Sequence, residues 1–212
     1  MLRSQVVHAV ILPATPLLVA GLVPGLSPNP LAAVRAAVAG ALAELTSDGL
    51  LPLVVAHGPA LRRGRMRPSL AGSGIGDRWL PPGPGGASRA DDALPPAGTG
   101  ASVALLALRD VLGADVAVET LEVPAAADAP DGGTAEALRT APGLVVAGGT
   151  VPGGTAGRAA PGGGAPGDPA ALTPGLRTAL RLAGADTWTP AVRRFPQAHD
   201  HLPSAYVLTT FS

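Results

Sequence analysis

The chain predicts a single α/β domain, with a central, mainly parallel sheet flanked by helices. Two observations carry this reading. Short apolar runs at Val6–Leu12, Leu53–Ala56, Leu144–Ala147 and Ala205–Phe211 alternate with longer stretches of helical spacing. The first two runs end at Pro-marked tips, Pro13-Ala14-Thr15-Pro16 and His57-Gly58-Pro59, and enclose a helical stretch. Such a strand–helix–strand unit points both tips at one sheet edge, where open α/β sheets place their sites. With 212 residues, 47% of them hydrophobic, the chain can bury one sizeable core. Only 2% are aromatic, so that core must be built from Ala, Val and Leu.

Val6–Leu12 is short and apolar, as expected of a strand buried on both faces. Pro13 to Pro30 holds five prolines and reads as a long loop. Pro30 suits the first position of the next helix, with Asn29 as its N-cap. Within Leu31–Leu45, the residues Leu31, Val34, Val38, Leu42 and Leu45 form a stripe spaced by three and four. Ser47-Asp48-Gly49 ends that helix, and Leu53–Ala56 follows as the second strand. Arg62–Arg67 carries four Arg in six residues and reads as a solvated loop, with an anion-binding loop as the alternative. Ser102–Leu112 and Ala135–Thr140 are helices on spacing, and Val116–Val123 alternates as a strand. Ala171–Ala183 is a further helix, which Trp188–Val192 caps or follows with another. Two Gly/Pro-rich insertions, Pro81–Pro96 and Val151–Pro169, have too few large apolar residues to order themselves and are expected to be flexible.

Composition excludes several function classes. Formal net charge is zero, so neither nucleic acid nor an acidic membrane is an expected partner. All basic residues are Arg, a bias that fits a GC-rich genome together with the heavy Ala, Gly and Pro content. There is no Cys, which removes disulfides, thiolate-held zinc, iron–sulfur clusters and thiol catalysis. Arg3 followed by Val6–Leu26 mimics a secretory signal. His8, Pro13, Pro16 and Pro24 interrupt it, and no small-x-small site follows, so the stretch reads as strand and loop and the protein as cytoplasmic.

Four histidines could carry chemistry. His57 follows an apolar strand directly and stands at the sheet edge; a polar loop residue is the plain alternative. His8, inside the first strand, reads as a core histidine. His199-Asp200-His201 has metal-ligand composition, although Pro196 and Pro203 place it in a loop. Gly72-Ser73-Gly74-Ile75-Gly76 lacks the strand and helix of a dinucleotide site, and without Lys no P-loop exists. Gly148-Gly149-Thr150 does follow a strand and reads as a turn. No Gly-x-Ser-x-Gly elbow is present.

Several of these segments resemble, in order, the class III extradiol ring-cleavage dioxygenase superfamily, whose members include the catalytic subunits of protocatechuate dioxygenases. The nearer likeness is to its small actinobacterial branch. Pro13-Ala14-Thr15-Pro16-Leu17-Leu18-Val19 is similar to that branch's Pro-His-Pro-Pro-Leu-Leu-Val loop. Leu53-Val54-Val55-Ala56-His57-Gly58-Pro59 is similar to its second strand and tip. Leu144–Thr150 looks like a later strand ending in Gly-Asp-Gly-Ser, and Ala171–Val192 with Ala205–Phe211 looks like the C-terminal helices and closing strand. The resemblance implies Fe(II) held by two His and one Glu, with catechol and O2 bound beside it and a further His handling protons. Ala14 stands at the position of the first ligand, His57 matches the second, and Gly149 replaces the usual Asp. Glu119 and Glu122 are the nearest acids, without a motif to assign either. The reading is therefore a dioxygenase-like protein that has lost the standard iron site, holds no cofactor, and serves as a binding or partner protein for a small molecule or another protein. The alternative is an active dioxygenase with a metal site rebuilt from His57, His199, His201 and Asp200, using Fe(II). A homo-oligomer is compatible with either.

Overall fold

In the computed structural model the apolar runs pair as expected into the centre of one sheet. The structure describes residues 7–22, 29–80, 93–113, 116–126, 130–148 and 165–212. Seven strands form it: β1 (Ala9–Pro13), β2 (Leu53–His57), β3 (Arg62–Arg65), β4 (Glu119–Val123), β5 (Leu144–Gly148), β6 (Pro190–Pro196) and β7 (Ala205–Phe211). Their order is β3-β4-β2-β5-β1-β7-β6. The four inner strands β4, β2, β5 and β1 run parallel. β3 adds to β4, and β7 to β1, antiparallel; β6 then pairs antiparallel with β7.

The helices α1 (Ala32–Leu45), α2 (Thr99–Leu112), α3 (Gly132–Thr140) and α4 (Pro174–Leu182) cover the two faces. From β1 through β2 to β4 the chain steps one way across the sheet, with α1 and α2 on one face. From β4 through β5 to β7 it steps back, with α3 and α4 on the other. Right-handed crossovers require the helices to change face when the direction reverses. Two aliphatic cores result. Val10, Leu12, Val54, Ala56, Val145 and Ala147 pack beneath α1 and α2 against Val34, Val38, Leu42, Val103 and Leu106. Ile11, Val55, Leu121, Val123 and Val146 pack beneath α3 and α4 against Leu138, Leu176 and Leu180. The strands serve both cores because successive side chains alternate faces.

Local chemistry explains most helix boundaries. Thr173 caps α4, its hydroxyl accepting from the Leu176 amide at 3.3 Å, with Pro174 in the first turn. Asp131 caps α3 through the Thr134 amide at 2.7 Å. α1 ends at Leu45, and Gly49 takes a left-handed turn at φ +80°.

Several expectations need correction. Arg62–Arg67 is not a loop: Arg62–Arg65 is edge strand β3, held by a cross-sheet partner that local pattern does not reveal. Trp188–Val192 neither caps α4 nor begins a helix. A short turn at Ala185–Thr187 leads into β6, whose seven-residue pairing with β7 overrides its weak strand signal. α1 begins at Ala32 with no side-chain cap; Asn29, two residues before the N-cap position at Leu31, instead accepts from the Leu31 amide through Oδ1 at 3.0 Å. α4 starts at Pro174 rather than Ala171, α2 reaches back to Thr99, and strand β4 keeps only Glu119–Val123 of the expected run.

Val6, Gly149, Thr150 and most of both Gly/Pro-rich insertions lie outside the described residues. The C-terminal ends of those insertions are described and hydrogen-bonded to the fold. Pro95 and Pro96 bridge to Arg67, and Pro166 accepts from the Val207 amide at 2.8 Å. A Cβ on Gly167 would meet the Val207 carbonyl oxygen at 1.8 Å, so that turn needs a glycine.

Candidate functional site

The carboxyl edge of the parallel strands gathers the tips of β1, β5, β2 and β4, and with them Ala14, His57 and Glu122. The pleat decides where these side chains go. Ala56 belongs to the core under α1 and α2, so His57, one residue further along β2, turns to the face of α3 and α4. Glu122 stands opposite Ala56 in the ladder and shares its face. His57 and Glu122 are therefore neighbours along the edge but sit on opposite sides of the sheet.

Glu122 is fully buried and accepts three hydrogen bonds. Arg62, its direct neighbour across the β3–β4 ladder, donates to Oε2 from both Nε and Nη2, the Nε bond at 3.0 Å. The backbone amide of Gly98, the N-cap of α2, donates to Oε1 at 2.5 Å. Arg62 also reaches the Pro96 carbonyl at 3.3 Å. Two glycines make room for this carboxylate. A Cβ on Gly58 would lie 2.8 Å from Oε2, and one on Gly98 would lie 3.1 Å from Oε1. Glu122 thus ties β3, β4 and the start of α2 together, as a charge-assisted pair and a helix N-terminus both favour.

Ala14 is half-buried, with α2 against its methyl. The first turn of α2 lies on it: a Cβ added to Gly100 would sit 3.5 Å from the Ala14 methyl, 3.4 Å from that of Ala147 and 3.7 Å from that of Ala56. Three alanines on the tips of β1, β5 and β2 form the seat for the helix. The loop before α2 is fixed by a polar network. Arg67 donates to Asp77 Oδ2 at 2.6 Å, Ser69 donates to Asp77 Oδ1 at 2.8 Å, and the Ser69 amide donates to Ser102 at 2.8 Å. The Arg67 bond, aided by Ser69, lowers the Asp77 pKa below the usual carboxylate value against the opposing effect of burial. Gly72–Gly76 belongs to this loop as a short turn. At the tip of β7 the buried Tyr206 hydroxyl bonds Thr15; burial pushes its pKa up, and the bond opposes that.

The other sequence candidates fall elsewhere. His199, Asp200 and His201 lie exposed in the β6–β7 hairpin loop, the Leu202 amide donating to the His199 carbonyl at 3.0 Å. That hairpin starts three strand steps from β2, about 14 Å at the usual strand spacing. Among the described residues no group of three or more His, Asp or Glu side chains converges as a metal site, so His57, His199, His201 and Asp200 are not brought together. Glu119 pairs with Arg63 at 2.8 Å on the sheet surface. His8 stacks half-buried on Trp188 with ring centres 5.4 Å apart, at the opposite edge of the sheet.

The residues at the edge do not fit the iron that the sequence resemblance implies. The position-14 side chain has no donor atom, and α2 packs against its half-buried methyl. The nearest buried acid already satisfies a guanidinium and an amide and faces away from His57. One feature points the other way: His57 Nδ1 is buried without a hydrogen-bond partner among the described residues. Sequence reasoning missed Arg62 and Gly98 as partners of Glu122. The legible signal was an acid inside an apolar strand, Leu121-Glu122-Val123, with an Arg run upstream.

The fold defines an open, doubly wound α/β protein with antiparallel strands on both flanks. The chain matches no protein-family model, no curated protein and no solved structure. No helix among the described residues is long and apolar enough to cross a membrane.

Proposed function

We propose that this chain is a dioxygenase-like α/β protein that has lost the standard Fe(II) site and works as a non-catalytic binding or partner protein. The observation that carries this reading is the commitment of Glu122. A buried carboxylate that accepts three hydrogen bonds from Arg62 and the Gly98 amide, on the face opposite His57, is held away from any ligand set that includes that histidine. Ala14 beneath α2 supports it, because a three-ligand site missing its first imidazole holds iron weakly.

A second reading has one observation in its favour. The unpartnered Nδ1 of His57 would gain a partner if a metal or a substrate reached it. In that reading the hairpin carrying His199, Asp200 and His201 moves to complete an active ring-opening site. Ring-cleavage absorbance with simple catechols, for iron-loaded wild type and His57→Ala, separates the two. The first reading expects no turnover in either protein; turnover abolished by His57→Ala would establish the second.

A further inference from the structure

A cleft of about 250 Å3 lies between α1, α2 and the turn that follows β1, away from His57 and Glu122. Its walls are apolar and small, formed by Leu18, Val38, Ala39 and Ala107. Two charged residues line it, Arg35 from α1 and Asp110 from α2. The Arg35 guanidinium is fixed: Nη2 donates to the Leu17 carbonyl at 2.6 Å and Nε to the Leu18 carbonyl at 3.1 Å. Among the described residues its Nη1 makes no hydrogen bond, and Asp110 makes neither a hydrogen bond nor an ion pair. Asp110 remains exposed; partial burial raises its pKa, and the Arg35 charge opposes the rise. The two groups share one cleft and feel each other, yet they do not meet.

We infer that this cleft binds a small zwitterion, an ammonium and a carboxylate on a short aliphatic body, with Asp110 receiving the ammonium and Arg35 the carboxylate. A simple cation would meet the Arg35 charge, and a simple anion would meet Asp110. A ligand carrying both charges satisfies both and leaves its aliphatic part to Leu18, Val38 and Ala107, the division of labour usual in small-molecule sites. An aliphatic α-amino acid has this chemistry. The inference stands independently of any metal at the carboxyl edge.

The test is an NMR titration of the full chain with L-leucine, beside a branched carboxylic acid lacking the ammonium and a branched amine lacking the carboxylate. Leucine should shift the Val38 and Ala107 resonances saturably. Each single-charge analogue should bind about tenfold or more weakly, because one charge-assisted bond is lost. Asp110→Asn should weaken leucine binding by a similar factor. Ala39→Leu, which fills the cleft and keeps both charges, should weaken it too. The inference is overturned if wild type shows no saturable shift, or if either analogue binds as well as leucine. It is also overturned if folded Asp110→Asn binds as wild type does. The analogue arms decide the matter even where a variant does not fold.

Discussion

Glu122 shows how one buried charge can organise an edge. Its carboxylate has no exposure while the Arg62 side chain keeps 38% of its own, so the pair is half-desolvated and depends on the extra Gly98 bond for balance. Arg62→Met leaves the carboxylate buried without its counter-charge. It should lower stability by about 3 kcal/mol in urea unfolding. Glu122→Gln keeps an acceptor for the Gly98 amide and should cost less. Asp77 supplies a second residue-scale prediction. Its pKa is held below the ordinary carboxylate value, chiefly by Arg67. A carboxylate bound more tightly as the anion in the folded state contributes stability that is fully present above its unfolded pKa. That contribution is lost as pH falls through the lower folded value. Thermal melts from pH 5 downward should therefore show an acid loss of stability that is shallower in Asp77→Asn. Asp110 has the opposite sign, since its folded pKa is raised. Ionisation there opposes folding as pH rises past the unfolded value, so Asp110→Asn without ligand should melt slightly higher at neutral pH.

Edge strand β6 is exposed along almost its whole length, which invites pairing with another chain. Its proline positions counter this. Thr189 and Ser212 exchange both backbone bonds, and the Gln197 amide donates to the Ser204 carbonyl. Alternation along an antiparallel ladder then points the odd-numbered residues of β6 at β7 and turns 190, 192, 194 and 196 outward. Two of those four are proline and offer no N–H, which leaves only the Val192 and Arg194 amides on the free edge. A Pro190→Thr/Pro196→Thr variant should self-associate more strongly, with a higher mass by light scattering at equal concentration; an unchanged mass would mean that the arginines alone protect the edge. The same strand shows why parts of the fold were hard to read. β1, β2, β5 and β7 are apolar runs whose burial requires the pattern they carry. β6 and β3 carry Pro and Arg because they lie on the flanks. What makes them strands is a partner outside their own run, the apolar β7 across the hairpin for β6 and the distant β4 with Glu122 for β3.

At the scale of the whole molecule, the alternation of strand and helix was legible because it is a local property, repeated along the chain. The site was less so. His57 was correctly placed at a strand tip, since an apolar run and a Gly-Pro mark that tip. Its distance from the His199–His201 hairpin follows from strand order, and spacing along the sequence does not contain strand order. Nor does it contain the pleat phase that sets His57 and Glu122 on opposite faces, or the seating of α2 on Ala14, Ala56 and Ala147. The pleat phase and the seating of α2 set Glu122 against Arg62 and the Gly98 amide and leave Ala14 half-buried on the side of α2. The zwitterion cleft, by contrast, brings together α1 and α2 residues that no motif links.

Anaerobic loading with Fe(II), followed by metal quantification after desalting, tests whether this edge holds iron. Convergent donors at about 2–2.3 Å are needed for retention. A lost site leaves iron far below one equivalent, unchanged by His57→Ala. About one iron retained per chain, and lost in the His57→Ala variant, would contradict it.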